Sequence, residues 1–232
     1  MVEGKDLDRY QHIADGRQII VSIDRFFDWF GFGALVCLVF LAVPRALRLY
    51  AHGIRVLVVD RQRTLRQILE DLIAMACLLL WSYELVACAW SLKFRLIPQG
   101  VAVTVFDVPA LKIAGALLVT GGLAVYGLGT RGLGDSWRLG IDRQTPGSLR
   151  TNGIFAWTRN PIYLAFDLMV FGTFLIQGRL HLLLIALIFA VVLHQQIHRE
   201  ERFLYERHGD AFGRYCAQVG RYITWPTGRK RA

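Results

Sequence analysis

Glu200 and Glu201 stand side by side just past an apolar run, between Arg199 and Arg202. A carboxylate at such a place can take a ligand's ammonium through a charge-assisted hydrogen bond, or accept a proton. It can equally be one half of a solvated, salt-bridged rim. Asp167 sits inside the apolar stretch FDLMVFGTFLI, four residues after Tyr163, so the two share a helix face. An ionisable group within such a stretch faces a cavity or a partner, unless it lies shallow and pairs with a nearby arginine. His194, His198 and Glu201 also fall on one helix face, a spacing compatible with zinc or iron. There is no HExxH and no second His or Cys cluster to complete a ligand set, so no metal site is expected.

The stretch LRTNGIFAWTRNPIY, residues 149–163, is polar at its front and aromatic in its middle, and it runs directly into apolar sequence. A connecting loop needs turn residues and a few charges. It does not need an Arg-Asn-Pro-x-Tyr cluster at the lip of an apolar helix, against hydrocarbon.

The elements that must position these groups are written in blocks. Of the 232 residues 54% are hydrophobic, and they gather at 26–43, 72–90, 111–128, 161–176 and 180–193. A helix needs about 20 mostly apolar residues to cross the hydrocarbon layer. The first three blocks reach that length. The last two are separated only by Gln177-Gly178-Arg179 and read as a tight helical hairpin. The expected fold is therefore an all-α integral membrane protein of five transmembrane helices with a cytoplasmic helical tail. Residues 1–110 form an N-terminal region with two spans, and 111–232 a membrane domain holding the unusual chemistry.

Arginines crowd the 44–71 and 129–160 segments and the tail, whereas the opposing loops hold only Lys93, Arg95 and Arg179. This bias predicts a cytoplasmic C-terminus and an N-terminus outside. The net charge of +9 is thus a topology signal and not a nucleic-acid footprint. The mixed charges before residue 26 do not resemble a cleaved signal peptide. Glu84, near the outer end of the second block, reads as interfacial. Four scattered cysteines show no pairing or metal spacing. In the tail, Gly209-Asp210 reads as a helix stop followed by an N-cap. Phe212, Tyr215, Val219 and Tyr222 then make the apolar stripe of a second helix ended by Pro226.

GSLRTNGIFAWTRNPIY, followed after the hairpin by REERFLYERHGDAFGRYCAQVGRY, resembles the isoprenylcysteine carboxyl methyltransferase family of membrane methyltransferases. The match in order and spacing covers about residues 131–225. It implies S-adenosylmethionine as methyl donor and a lipophilic acceptor, a small molecule or lipid-linked group entering from the bilayer. The implied donor contacts fall on Gly147, Ser148, Leu149, Arg150, Phe155, Asn160, Pro161, Ile162, Tyr163 and Glu200.

Two positions depart from the family pattern. Its usual histidine is Asn160 here, and the arginine that it associates with a carboxylate acceptor is Gln196. A carboxylate acceptor then depends on Arg199 or Arg159 as cationic partner. An amine or hydroxyl acceptor needs a base, for which Glu201, His198 and Asp167 are candidates. Two other readings stay open. One is an NADPH-dependent membrane reductase of sterol-reductase-like type, with Arg150 and Arg159 on the 2′-phosphate; the other is a non-catalytic membrane scaffold.

Overall fold

The computed structural model describes residues 3–53, 63–94, 96–98, 100–134 and 149–224, with side chains from residue 21 onward. Among these, regular structure is helical: α1 (Glu3–Ala51), α2 (Leu65–Ala89), α3 (Pro109–Leu133), a single 3-10 turn (Gly153–Ala156), α4 (Pro161–Gln177), α5 (Leu180–His208) and α6 (Asp210–Gln218). Four helices carry stretches long and apolar enough to cross a membrane: Val21–Ala51, Leu65–Ala89, Pro109–Leu133 and Leu180–His208. With 17 residues α4 is shorter, about 25 Å of helix against a hydrocarbon core of about 30 Å. Large apolar side chains such as Phe40, Leu117 and Val191 point outward and are largely exposed. A belt of this kind marks a lipid-facing surface.

Each helix begins or ends for a readable reason. Thr64 accepts a hydrogen bond from the Gln67 N–H, and the Gln67 side chain accepts one from the Thr64 N–H, a reciprocal capping box that starts α2. Pro109 and Pro161 open α3 and α4, where a missing N–H costs nothing. Gly178 closes α4 in the left-handed conformation at φ 61°. A Cβ there would lie 1.9 Å from the Phe106 carbonyl oxygen, because the segment before α3 crosses the α4–α5 turn. The crossing is fixed by Val105 N–H donating to the Gly178 carbonyl (2.7 Å) and Leu180 N–H to that of Val103 (2.8 Å).

Among the described helices, α3 and α4 pack backbone to backbone. Gly115, Gly122 and Gly129 recur every seven residues on α3 and bring its backbone onto α4. A Cβ on Gly115 would meet the Gly172 carbonyl oxygen at 2.4 Å, and one on Gly122 the Ala165 carbonyl oxygen at 2.8 Å. Small residues at such a seam let dispersion between helices do what the hydrophobic effect cannot do in lipid. Against the other face of α4 lie α2 and α5. Trp81, Leu85, Met169, Leu182 and Phe189 form the main core, and the Trp81 indole N–H donates to Thr173 Oγ1 at 3.1 Å.

Glu84, near the end of α2, is packed inside the protein: only 1% exposed, it sits 3.3 Å from His181 Nε2 and 3.7 Å from Arg179. Two sequence expectations change. The second tail helix ends at Gln218, not near Pro226, because Val219 turns extended; Pro226 lies outside the described residues. Asp210 is not the N-cap of that helix. Gly209, at φ 50°, caps both α5 and α6, and Asp210 is the first residue of α6.

Candidate functional site

The polar groups singled out in the sequence gather at one end of the bundle. There the starts of α2 and α4 meet the ends of α1, α3 and α5. Arg45 on α1 donates to the Gly134 carbonyl at the end of α3 (2.7 Å). Arg199 on α5 pairs with Glu70 and Asp71 on α2, the latter at 3.0 Å. The described parts of the arginine-rich segments therefore share an end, opposite to the α4–α5 turn.

Glu201 is the centre of a knot. Its Oε1 accepts from Arg159 Nε (3.1 Å) and from the Asn160 amide (3.0 Å); its Oε2 accepts from Arg221 at Nε (3.0 Å) and at a terminal nitrogen (2.8 Å). Glu201 is 9% exposed, so this carboxylate is neutralised inside the fold by two guanidinium groups. Arg159 goes on to donate to the carbonyls of Cys216 (3.1 Å) and Val219 (2.7 Å). Further bonds sew the lip to the tail. Arg159 N–H donates to Gly220 (3.0 Å), Thr224 N–H to Trp157 (2.8 Å), and the Tyr215 hydroxyl to the Phe155 carbonyl (2.6 Å). Burial pushes the Tyr215 phenol up to about 12, so it stays a donor.

One residue earlier on α5, Glu200 points differently. Its carboxylate accepts a short hydrogen bond from the Tyr163 hydroxyl on α4, a neutral donor. Its neighbour Arg199 is spent on Glu70 and Asp71. Adjacent carboxylates thus differ in kind: Glu201 is locked by cations, whereas Glu200 keeps acceptor capacity. Beside Glu200 is the first turn of α4, whose N–H groups have no carbonyl a turn behind them.

Seven residues from Asn160, and so nearly on the same face of α4, comes Asp167. Its Oδ1 is buried and has no hydrogen-bond partner among the described residues. Nearby, His194 Nδ1 lies 2.7 Å from the Tyr222 hydroxyl, and His194 Nε2 lies 3.0 Å from His198 Nε2. Arg221 reaches the same His198 nitrogen at 3.3 Å.

The sequence-derived donor contacts divide. Asn160, Pro161, Ile162, Tyr163 and Glu200 share the α4–α5 end. Phe155 is buried, its ring against Gly132, and Leu149 packs with Phe212 and Tyr215. Arg150 is exposed, and Gly147 and Ser148 lie outside the described residues. Gln196 is half-buried on α5. Arg159 and Arg199, candidate partners for an acceptor carboxylate, are both ion-paired within the chain. Sequence reasoning missed Arg221 as the second cation on Glu201 and Tyr222 as the partner of His194. The only signal was their place in GRYITW; the helical stripe assigned Tyr222 to the wrong kind of contact.

Residues 110–211 match the family model of the phospholipid methyltransferases. That family is related to the isoprenylcysteine carboxyl methyltransferase-like membrane enzymes, so the resemblance read from the motif holds over this region. The matched stretch contains α3, the lip, α4 and α5; Arg221 and Tyr222 fall beyond it. No curated protein matches the chain.

Proposed function

We propose, with the match of residues 110–211 to the phospholipid methyltransferases as premise, that this protein moves a methyl group from S-adenosylmethionine to a lipophilic acceptor drawn from the bilayer. The observation that carries the reading is the contrast between Glu200 and Glu201. A half-buried carboxylate whose hydrogen bond among the described residues comes from a tyrosine hydroxyl, beside uncapped helical N–H groups, suits the ammonium and carboxylate of an amino-acid moiety. The donor set fits. Glu200 takes the ammonium, the N-terminus of α4 at Ile162 and Tyr163 takes the carboxylate, and the largely exposed Trp157 indole offers a face to the adenine or the sulfonium. The donor supplies an already activated methyl group. The chain's own contribution is then positioning and exclusion of water.

In this reading α4 crosses as a fifth span, made long enough by the polar lip at its start. The arginine-rich end is cytoplasmic and the N-terminus outside, as in a bacterial inner membrane. For reduction by NADPH, Arg159 is committed to Glu201 and cannot serve a 2′-phosphate, which leaves the exposed Arg150 alone of the two candidate cations. A carboxylate acceptor is disfavoured on similar grounds, with Arg159, Arg199 and Arg221 all paired to the chain's own carboxylates.

Calorimetric titration of S-adenosylhomocysteine into detergent-solubilised protein, beside Glu200→Gln, tests the reading. Binding by the wild type and its loss in the variant is the expected result. No binding by folded wild-type protein would overturn it.

A further inference from the structure

Arg221 fixes the hydrogens of the histidine chain. A guanidinium can only donate, so His198 Nε2, which it reaches at 3.3 Å, is an acceptor. His194 Nε2, 3.0 Å from that same atom, must then carry its proton and donate. A neutral His194 with its proton on Nε2 accepts at Nδ1, so the Tyr222 hydroxyl at 2.7 Å is the donor there. All the hydrogens point one way, from Tyr222 through His194 to His198. His198 is exposed, so the chain of hydrogens ends on a residue open to water. At the inner end, burial and the neighbouring Asp167 carboxylate push the Tyr222 phenol above its ordinary value. The buried Asp167 Oδ1 has no partner among the described residues; Asn160 meets Glu201 across antiparallel α4 and α5, so Asp167, seven residues on, stands opposite His194, seven residues back. Glu201, by contrast, has both oxygens taken.

We infer that Asp167 is the proton acceptor of the reaction and that Tyr222, His194 and His198 lead the proton to the aqueous side. This rests on the methyltransferase reading and narrows its acceptor to an amine or hydroxyl, a nucleophile that gives up a proton. The step balances. The acceptor's lone pair forms the new bond to the methyl carbon, the electron pair of the broken C–S bond stays on sulfur, and the acceptor's proton passes to the Asp167 carboxylate. A carboxylate acceptor would release no proton and would leave the chain without a task.

The test uses the full chain in detergent, with labelled S-adenosylmethionine and two probes: octadecylamine and palmitate. Methylation of the amine and not the palmitate is expected, and Asp167→Asn should lower the amine rate by about 10²–10⁴-fold, the usual reach of general-base catalysis, with S-adenosylhomocysteine binding unchanged. His198→Gln should lose rate and regain it with added imidazole, which a purely structural role would not allow. Independently of turnover, nitrogen-15 histidine spectra should show His194 protonated at Nε2 and His198 at Nδ1. Methylation of palmitate, methylation of neither probe, or full amine turnover by Asp167→Asn overturns the inference. Loss of S-adenosylhomocysteine binding by the wild type would strike the methyltransferase reading itself.

Discussion

The two ends of the α4–α5 pair are both polar and both buried, yet their carboxylates are satisfied differently. At the turn end Glu84 is enclosed with His181 and Arg179, and Arg179 also donates to Cys88 Sγ at 3.2 Å. Nearby Lys112 pairs with Asp24 and Asp107, the latter at 2.6 Å. Charges there pin helix ends together, although neither ring nitrogen of buried His181 makes a hydrogen bond among the described residues. At the opposite end Glu201 is closed in the same way, but Glu200 has a neutral partner and Asp167 has an oxygen with none. Burial and charge are common to both ends, so neither distinguishes a site from a staple. What distinguishes them, among the described residues, is carboxylate acceptor capacity left over after the protein's own donors are counted.

The largest effect should come from breaking the closed carboxylate of the tail end. Glu201→Ala would strand Arg159 and Arg221 and cut the lip loose from residues 216–224. Removing one partner of a buried ion pair costs about 3–5 kcal/mol. Thermal unfolding in detergent should show a large drop in midpoint, with donor binding lost as a consequence of structure. Equal stability of wild type and variant would mean that the knot is decorative.

Glu200→Gln should behave oppositely. Its loss removes an interaction with a ligand and not with the fold, so the midpoint should stay near that of the wild type. S-adenosylhomocysteine affinity should fall by the value of a charged hydrogen bond, about 1.5–3 kcal/mol, or roughly 10–100-fold. A variant that unfolds while the remaining folded fraction binds normally would make Glu200 another staple and erase the contrast.

The turn end supplies the control. His181→Ala removes the ring that lies 3.3 Å from Glu84 in a site where His181 is 3% exposed. A buried polar group deprived of a partner costs about 1–3 kcal/mol, so stability should fall by that amount. Donor affinity in the folded protein should not change. A loss of affinity there would show that the two ends are coupled through α5.

Much of this contrast could be read from the chain, and the part that could not has a physical cause. The apolar blocks, the Arg-Asn-Pro-x-Tyr lip and the helix break at Gly209 are local patterns, and each lies where periodicity and glycine place it. Glu200 and Glu201 were visible as a pair, but nothing local says which of two adjacent carboxylates is locked. That depends on Arg221, twenty residues on and beyond two chain reversals, and on Arg159 across the hairpin. Glu84 illustrates the same limit. Hydropathy set it near a helix end, and only its packing against His181 from another helix shows that it is buried. Tyr222 fitted a helical stripe by spacing, yet the chain turns extended at Val219 and delivers it to His194 instead.

The smallest effect belongs to the exposed fringe of the tail end, and it sharpens the contrast by being small. Arg66 pairs with Glu70 one turn along α2 at 2.8 Å, but its side chain is 75% exposed. Exposed pairs of this spacing are worth about 0.3–0.5 kcal/mol. Glu70 also keeps Arg199 as a partner. Arg66→Ala should therefore move the unfolding midpoint by less than any of the preceding variants and leave donor binding untouched. A shift as large as that of His181→Ala would mean that Arg66 helps to hold Arg199 away from Glu200. The separation of structural from ligand-facing charge would then extend beyond the two glutamates to the start of α2.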